Sequence, residues 1–231
     1  MEKVKLYPDR HLTAWGIRYL LFQALVLPYL LSWVCALLDL YLDDARLNLL
    51  YYTVNFAALV GIFWRFLNTS IRHAAQNIGN VLIPAVVGFF AYRFTSTLLD
   101  LGIYYLFPDF FNVNDANISG MAQDQLPLWA FATIVLVPPA EELIFRGALF
   151  GGFCARYRYL AWPLSVLGFA LLHVIGYVNY YSWDMLLISF VQYLPAGICL
   201  AAAYHKSGNI LTPILMHAAI NSIAMISMAL M

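Results

Sequence analysis

The chain has 231 residues, of which 63% are hydrophobic and 10% are charged, and its formal net charge at neutral pH is zero. A soluble domain carries about 25% charged residues, so this composition is typical of an integral membrane protein in a lipid bilayer. The zero net charge and the lack of a Lys/Arg cluster in the sequence argue against nucleic acid as a partner.

Seven apolar segments are long enough to cross a bilayer, which takes about 20 residues. In chain order the predicted spans are 16–40, 48–67, 77–106, 126–155, 159–176, 184–204 and 208–230. The third and fourth exceed one crossing and could tilt, break or extend beyond the bilayer, and Pro138-Pro139 predicts a break or kink in the fourth. Only residues 107–125 form a sizeable stretch predicted to be exposed. The sequence therefore predicts an all-α, polytopic membrane protein of about seven transmembrane helices, with residues 1–231 forming a single transmembrane domain.

The charges of successive connections alternate, which predicts the sidedness of the protein. The loop 107–125 contains aspartates and neither Lys nor Arg, whereas the N-terminal segment and every second connection are basic. The positive-inside rule then places the N-terminus in the cytoplasm and the C-terminus outside. The basic residues of the N-terminal segment and of these connections are Lys3, Lys5, Arg10, Arg65, Arg72, Arg156, Arg158 and Lys206. The compact chain without organelle signals favours a bacterial cell membrane.

Two adjacent glutamates lie inside the apolar fourth span. An ionisable residue at bilayer depth costs at least about 2.5–3.5 kcal/mol and is by default a hypothesis of a functional site. Glu142 and Arg146 are four residues apart on one helix face, which predicts a structural ion pair. Glu141 points about 100° away from them. We therefore predict that Glu141 faces the site as a general base, although a purely structural role for the charged residues is the alternative.

Three more polar residues share the depth of these glutamates. Counted along a helix from the nearest basic residue on the cytoplasmic side, Glu141, His173 and Asn221 lie at roughly 22 Å and His217 at roughly 16 Å. His217 and Asn221 share a helix face, and either can donate a hydrogen bond to a developing oxyanion. Phe169 lies one turn before His173 and can pack beside it. The alternatives are that the histidines are core residues and that Asn221 holds two helices together.

Two other groups of residues are predicted to be structural. Arg93, in the third span, is expected to pair with Asp100, Glu142 or Glu141. The 16 tyrosines and 6 tryptophans are mostly interpreted as belts at the membrane interfaces.

Three motifs on separate apolar segments carry a family resemblance. In chain order they are Glu141-Glu142-x-x-x-Arg146, Phe169-x-x-x-His173 and His217-x-x-x-Asn221. Together they resemble the CPBP intramembrane proteases, the CAAX-protease and bacteriocin-processing (Abi) family, over roughly residues 124–225. The resemblance implies a multi-pass helical fold around a cavity in the membrane. It also implies that Glu141 and His173 activate a water molecule while His217 and Asn221 stabilise the oxyanion, with Glu142, Arg146 and Phe169 in support.

The main functional hypothesis is hydrolysis of a peptide bond within the membrane. A deep cavity suits a hydrophobic or lipidated peptide, or a membrane-protein substrate. The alternative is a non-proteolytic scaffold that regulates a membrane-protein partner such as a sensor kinase or a cell-wall enzyme. Relatives of that kind usually lack motif residues, and this chain has them all. A transporter would be expected to have repeats or charged residues in several spans, and the sequence has neither.

Two hypotheses about metal dependence are consistent with these residues. Glu141, His173 and His217 could hold a divalent metal such as zinc with an open fourth position. The sequence lacks the HExxH motif of the zincins, however. A metal-free Glu–His pair that activates water is equally consistent with the residues, and we favour it slightly.

Overall fold

The computed structural model describes residues 6–123, 125–154 and 157–230, which form ten helices and no strand. The predicted all-α class is therefore confirmed over this part of the chain. Several residues used in the predictions lie outside the described ones: Lys3, Lys5, Asp124, Arg156, and residue 155 at the end of the fourth predicted span.

The helices follow one another with short connections. Their bounds are α1 Arg10–Leu25, α2 Leu27–Leu37, α3 Asp44–Ile62, α4 Trp64–Gln76, α5 Gly79–Leu106, α6 Val113–Ala122, α7 Leu126–Cys154, α8 Arg158–Ile175, α9 Trp183–Ser207 and α10 Leu211–Ala229. Five of them, α5 and α7 to α10, are long and apolar enough to cross a membrane. The pairs α1–α2 and α3–α4 are bent by 56° and 76° and bring the number to seven if each pair is one span. This agrees with the predicted spans, and their sidedness stays a prediction.

The first two spans begin earlier than predicted because aspartates cap their helices. The side chain of Asp9 accepts a hydrogen bond from the backbone N–H of Leu12, and Asp43 accepts one from Arg46. Each cap satisfies an N–H group that has no partner within the helix. The helices therefore start at the capped polar residues, ahead of the apolar runs that defined the predicted spans.

Pro138-Pro139 was predicted to break or kink the fourth span, and the structure shows no break there. Helix α7 runs through the pair, with π-helical turns at Ala132–Leu136 and Leu143–Gly151. In the first of these turns Val137 N–H bonds to the carbonyl of Ala132, five residues earlier. Wider turns of this kind let a helix continue past residues that lack an N–H.

The prediction that residues 107–125 are an exposed connection is only partly right. Residues 113–122 of this segment form α6, which packs on α8 and α9. Val113 is fully buried against Val174 and Leu186. Asn112 caps the helix with its side chain and also donates to Gln192 Oε1 at 2.9 Å. The segment thus covers the end of the bundle next to the histidine of α8.

The main core surrounds the second half of α7. This half of α7 packs against α1 and α8, while α9 packs along both α5 and α8, and α10 contacts α5, α7 and α9. Phe145, Phe150 and Phe169 are among its largest buried side chains. The packing holds four of the long helices around the turn that carries the glutamates.

Candidate active site

Glu142 and Arg146 form the predicted ion pair in a fully buried position. Arg146 Nη1 lies 2.9 Å from Glu142 Oε1, and neither side chain is exposed. Arg146 Nη2 also donates to the carbonyl of Gly197 in α9, at 3.2 Å. The pair therefore joins α7 to α9. Each of the two buried charges is compensated by the opposite charge of its partner.

His217 bonds to this pair, which the sequence did not predict. Its Nδ1 lies 2.8 Å from the same Glu142 Oε1 that accepts from Arg146. Because a carboxylate oxygen beside a guanidinium accepts, Nδ1 carries the proton. The other ring nitrogen, Nε2, can then face the cavity that His217 lines.

Phe169 packs against the groups that surround it on three helices. Its ring lies 4.5 Å from the His173 ring and 5.7 Å from the His217 ring, measured between centroids. The guanidinium carbon of Arg146 lies 4.4 Å from the Phe169 centroid, a cation–π contact. The predicted packing of Phe169 beside His173 is present, and the same ring separates His173 from the buried ion pair.

Glu141 lies on the other side of the α7 turn and faces His173. His173 Nε2 is 3.9 Å from Glu141 Oε2, with 13% and 18% of the two side chains exposed. His173 Nδ1 lies 2.8 Å from the carbonyl of Phe169, one turn earlier in α8. A carbonyl only accepts, so Nδ1 donates, and Nε2 is the ring nitrogen directed towards Glu141. Glu141 Oε2 has no hydrogen-bond partner among the described residues.

Tyr193 and Asp115 belong to the site but were missed in the sequence. The Tyr193 ring stacks on His173 with centroids 4.1 Å apart and an interplanar angle of 28°. Its hydroxyl donates to Asp115 Oδ1 at 2.9 Å and accepts from Asn114 Nδ2 at 2.9 Å. Desolvation raises the pKa of the Asp115 carboxyl, and the hydrogen bond from Tyr193 opposes that rise. The α6 segment thereby fixes the ring that covers one face of His173.

A depth count could have found Tyr193. It lies roughly 20 Å along α9 from Lys206, at the level of the other site residues. Its interpretation as an interfacial aromatic concealed it.

Asn221 forms a hydrogen bond to α7, the helix that carries the glutamates, at a carbonyl left without a partner by a proline. Its Nδ2 donates to the carbonyl of Thr133 at 2.7 Å. In the π-helical register that begins at Ala132, the partner of this carbonyl would be the N–H of residue 138, which is a proline and has none. The Asn221 amide occupies the vacant acceptor. The predicted interhelical role of Asn221 is therefore present, and its second amide N–H is still available to a ligand.

These side chains line a cavity of about 390 Å³ between α2, α3, α6, α7, α8, α9 and α10. Glu141, His173, His217 and Asn221 all contribute to its wall. The remainder combines apolar side chains with tyrosines, including Leu31, Leu47, Tyr51, Tyr52, Val137, Leu172, Tyr177, Met225 and Met228. The structure thus brings the predicted site residues to one cavity, which is large enough for an apolar ligand of small-molecule size.

The predicted pairing of Arg93 is not observed. Arg93 is exposed and forms no ion pair with any residue in the described part of the chain. Asp100 instead accepts from Gln192 Nε2 at 2.9 Å and from Ser96 Oγ at 3.2 Å. Glu142 is occupied by Arg146 and His217. Two of the three anions expected to pair with Arg93, Asp100 and Glu142, therefore have other partners.

The residues named for a metal do not form a compact ligand set here. Over residues 6–123, 125–154 and 157–230, no group of three or more His, Cys, Asp or Glu side chains is arranged to hold a metal ion. One oxygen of Glu142 is shared by Arg146 and His217, which leaves Glu141 and His173 as the closest acid–imidazole pair on the cavity wall. We therefore assign no step to a metal.

The fold and the site define a multi-pass helical membrane protein with an acid–imidazole pair in an internal cavity. Residues 123–223, slightly under half of the chain, match the family described as Type II CAAX prenyl endopeptidase Rce1-like. This part of the chain is therefore similar to that CAAX-protease family, and the match confirms the resemblance carried by the three motifs. No curated protein and no solved structure matches the chain.

Proposed function

We propose that the protein is an intramembrane endopeptidase that hydrolyses a peptide bond with a water molecule activated by Glu141 and His173. The match of residues 123–223 to a CAAX-protease family supports the class of reaction. The observation that carries the assignment of residues is the 3.9 Å approach of His173 Nε2 to Glu141 Oε2 at the cavity wall. With the carboxylate ionised and the imidazole neutral, both approaching atoms are acceptors, so a water molecule that contacts them can donate to one and be aligned by the other.

The hydrolysis places different demands on the two residues. Glu141 Oε2 accepts a proton from water as the oxygen attacks the scissile carbonyl carbon, and the protonated acid can then return that proton to the leaving amine. His173 keeps its orientation throughout because Nδ1 is held by the Phe169 carbonyl and one face is covered by Tyr193. This division makes Glu141 the base and His173 the group that aligns the water.

His217 and Asn221 are proposed to stabilise the oxyanion. Asn221 has a second amide N–H besides the one bonded to Thr133. His217 holds one proton on Nδ1 towards Glu142, so donation from Nε2 requires the doubly protonated imidazolium. The Glu142 carboxylate stabilises the His217 imidazolium. Through His217, the buried Glu142–Arg146 pair thus supports the stabilisation of the negative charge that develops on the oxyanion.

The substrate is proposed to be a hydrophobic or lipidated peptide. The 390 Å³ cavity is lined by apolar side chains and tyrosines, with only a few charged groups beside the acid–imidazole pair. Such a surface favours an apolar chain next to the scissile bond. An S-prenylated cysteine near a C-terminus, as in a C-a-a-X sequence, has this chemistry.

The test is cleavage of an S-farnesyl tetrapeptide by purified protein in lipid nanodiscs. Glu141→Gln and His173→Gln should each lower turnover by about 10²–10⁴-fold, the contribution of a positioned acid–base group. Asp184→Asn is the matched control, because Asp184 is an exposed acid at the start of α9. Full turnover in Glu141→Gln would refute the assignment. No cleavage by wild type, together with equal cellular function of wild type and Glu141→Gln, would favour the non-proteolytic scaffold.

A further inference from the structure

Helix α4 lies across the end of a membrane-crossing segment. Helix α3 has 19 residues and is about 28 Å long by the helical rise, close to the hydrocarbon thickness of a bilayer, about 30 Å. Helix α4 follows at once and is bent by 76° from α3. With α3 as the crossing segment, α4 runs nearly parallel to the bilayer plane at the level of the lipid headgroups.

The side chains of α4 form three separate faces. One face is buried against the protein and comprises Phe66, Leu67, Ser70 and Ala74. Trp64 and Ile71 lie two turns apart in an apolar stripe, and they are 59% and 49% exposed. Arg65 and Arg72 form a second exposed stripe, displaced from the first by one residue, which is about 100° around the helix. The two outward faces are therefore one apolar and one basic, side by side.

The basic stripe has no anionic partner among the described residues. Helix α4 includes neither Asp nor Glu, and Arg65 and Arg72 form no ion pair within the described part of the chain. Helices that lie in a membrane interface have this pattern, with an apolar stripe towards the acyl chains and basic residues towards the headgroups. Guanidinium groups bind phosphate through paired N–H donors, and Trp is enriched at the same depth. The two stripes thus match the layers of a lipid monolayer, and the charge matches an anionic headgroup.

Helix α4 is also fastened to the helix that carries His217 and Asn221. The buried side chain of Asn209 donates through Nδ2 to the carbonyl of Ser70 at 2.8 Å. Its Oδ1 accepts a hydrogen bond from the backbone N–H of Leu211, the first residue of α10, at 3.0 Å. These bonds fix the rotation of α4 and connect it to the start of α10.

We infer that the outer surface of α4 binds anionic phospholipids, with Arg65 and Arg72 at the phosphates and Trp64 and Ile71 among the acyl chains. A lipid is favoured over an acidic soluble partner because the apolar stripe adjoins the basic one, as acyl chains adjoin phosphates. The inference goes beyond the proposed hydrolysis and does not depend on it. Since a ligand of the folded state stabilises that state, an anionic membrane should stabilise the protein through α4.

The experiment uses Trp64 as a local reporter of the lipid beside α4. The protein is reconstituted in phosphatidylcholine vesicles that contain increasing fractions of phosphatidylglycerol or phosphatidylcholine with brominated acyl chains, which quench nearby Trp. The chain has 6 Trp, so each measurement is repeated with Trp64→Phe and the difference gives the quenching of Trp64. Brominated phosphatidylglycerol should be preferred about tenfold or more, since each arginine near an anionic surface contributes about fivefold.

Variants of the basic stripe assign this preference to its residues. Arg65→Gln and Arg72→Gln should each lower the preference about fivefold, and Arg72→Lys should keep it because the charge is retained. In the double Gln variant, phosphatidylglycerol should no longer raise the unfolding temperature as it does in the wild type. Arg46→Gln is the matched control, because Arg46 is an exposed arginine near the opposite end of α3.

Four results would overturn the lipid site. Equal quenching of Trp64 by the two brominated lipids would remove the headgroup preference, and quenching by neither would show that something other than lipid covers the stripe. A preference that persists in the double Gln variant would place the anion elsewhere. An equal loss in Arg46→Gln would reduce the effect to the net charge of the protein.

Discussion

The two faces of the α7 turn that carries the glutamates differ in burial and in the partners of their charged groups. On one face Glu142 and Arg146 are fully buried and bonded to each other, to His217 and to the α9 backbone, although Glu142 Oε2 and Arg146 Nε have no hydrogen bond from the described residues. On the other face Glu141 is 18% exposed and lines the cavity, and its Oε2 has no hydrogen bond from the described residues. We call these the closed face and the open face. The difference indicates that the closed face holds the helices together, while the open face keeps binding capacity for a ligand.

The largest expected effect comes from breaking the closed face. Arg146→Met leaves the Glu142 charge buried without its cation, which should lower the free energy of unfolding by about 3–5 kcal/mol. Glu141→Gln, on the open face, should change it by less than about 1 kcal/mol. Unfolding of both variants in mixed micelles checks this contrast. Similar losses in the two variants would show that the faces do not differ in their structural role.

A smaller loss of stability is expected from changing Phe169, whose ring lies between the two faces. Phe169→Leu removes the cation–π contact with Arg146, which contributes about 0.5–2 kcal/mol, and leaves Tyr193 as the aromatic ring that contacts His173. Phe145→Leu is the control, because Phe145 is buried and packs edge-to-face on Phe169. Denaturant unfolding should show a larger loss for Phe169→Leu than for Phe145→Leu. The reverse order would mean that the ring acts only by filling space.

The smallest effect concerns the support of the open face. Tyr193→Phe keeps the stacked ring on His173 but loses the hydrogen bonds to Asp115 and Asn114. Since one such bond contributes about 1 kcal/mol, kcat should fall about fivefold with KM unchanged. Tyr177→Phe is matched to it, because the Tyr177 hydroxyl also bonds to α6 at Asn114 and Asn117. A rise in KM at constant kcat would instead place Tyr193 in contact with the substrate.

The spacing of residues along single helices predicted much of the difference between the closed face and the open face. The four-residue interval between Glu142 and Arg146 fixed their pairing, and the angle between adjacent helical residues separated Glu141 from it. The shared depth of His173, His217 and Asn221 anticipated that they line one cavity. These inferences hold because they depend on the geometry of single helices and on the thickness of the bilayer.

The remaining features depend on how helices rotate against one another. Nothing in the intervals between residues indicates that His217 bonds to Glu142, or that α6 folds back to hold Tyr193. The pairing predicted for Arg93 failed for the same reason, since Gln192 from α9 occupies Asp100. The continuation of α7 through two prolines was missed because a π-helical turn has no signature in apolar periodicity.

The π-helical turn at Ala132–Leu136 has a consequence for how this helix tolerates changes in length. A π-helical turn contains one residue more than the corresponding α-helical turn, so it is equivalent to a single insertion in a regular helix. Removing one residue from this turn would restore a regular α-helical turn, so the later side chains would keep nearly their present directions and Glu141 would still point towards His173. Removing one residue from a regular α-helical segment of α7 would instead turn every later side chain by about 100° relative to the preceding segment. Helix α7 therefore accommodates a change in length at a segment before the prolines that contains no charged residue.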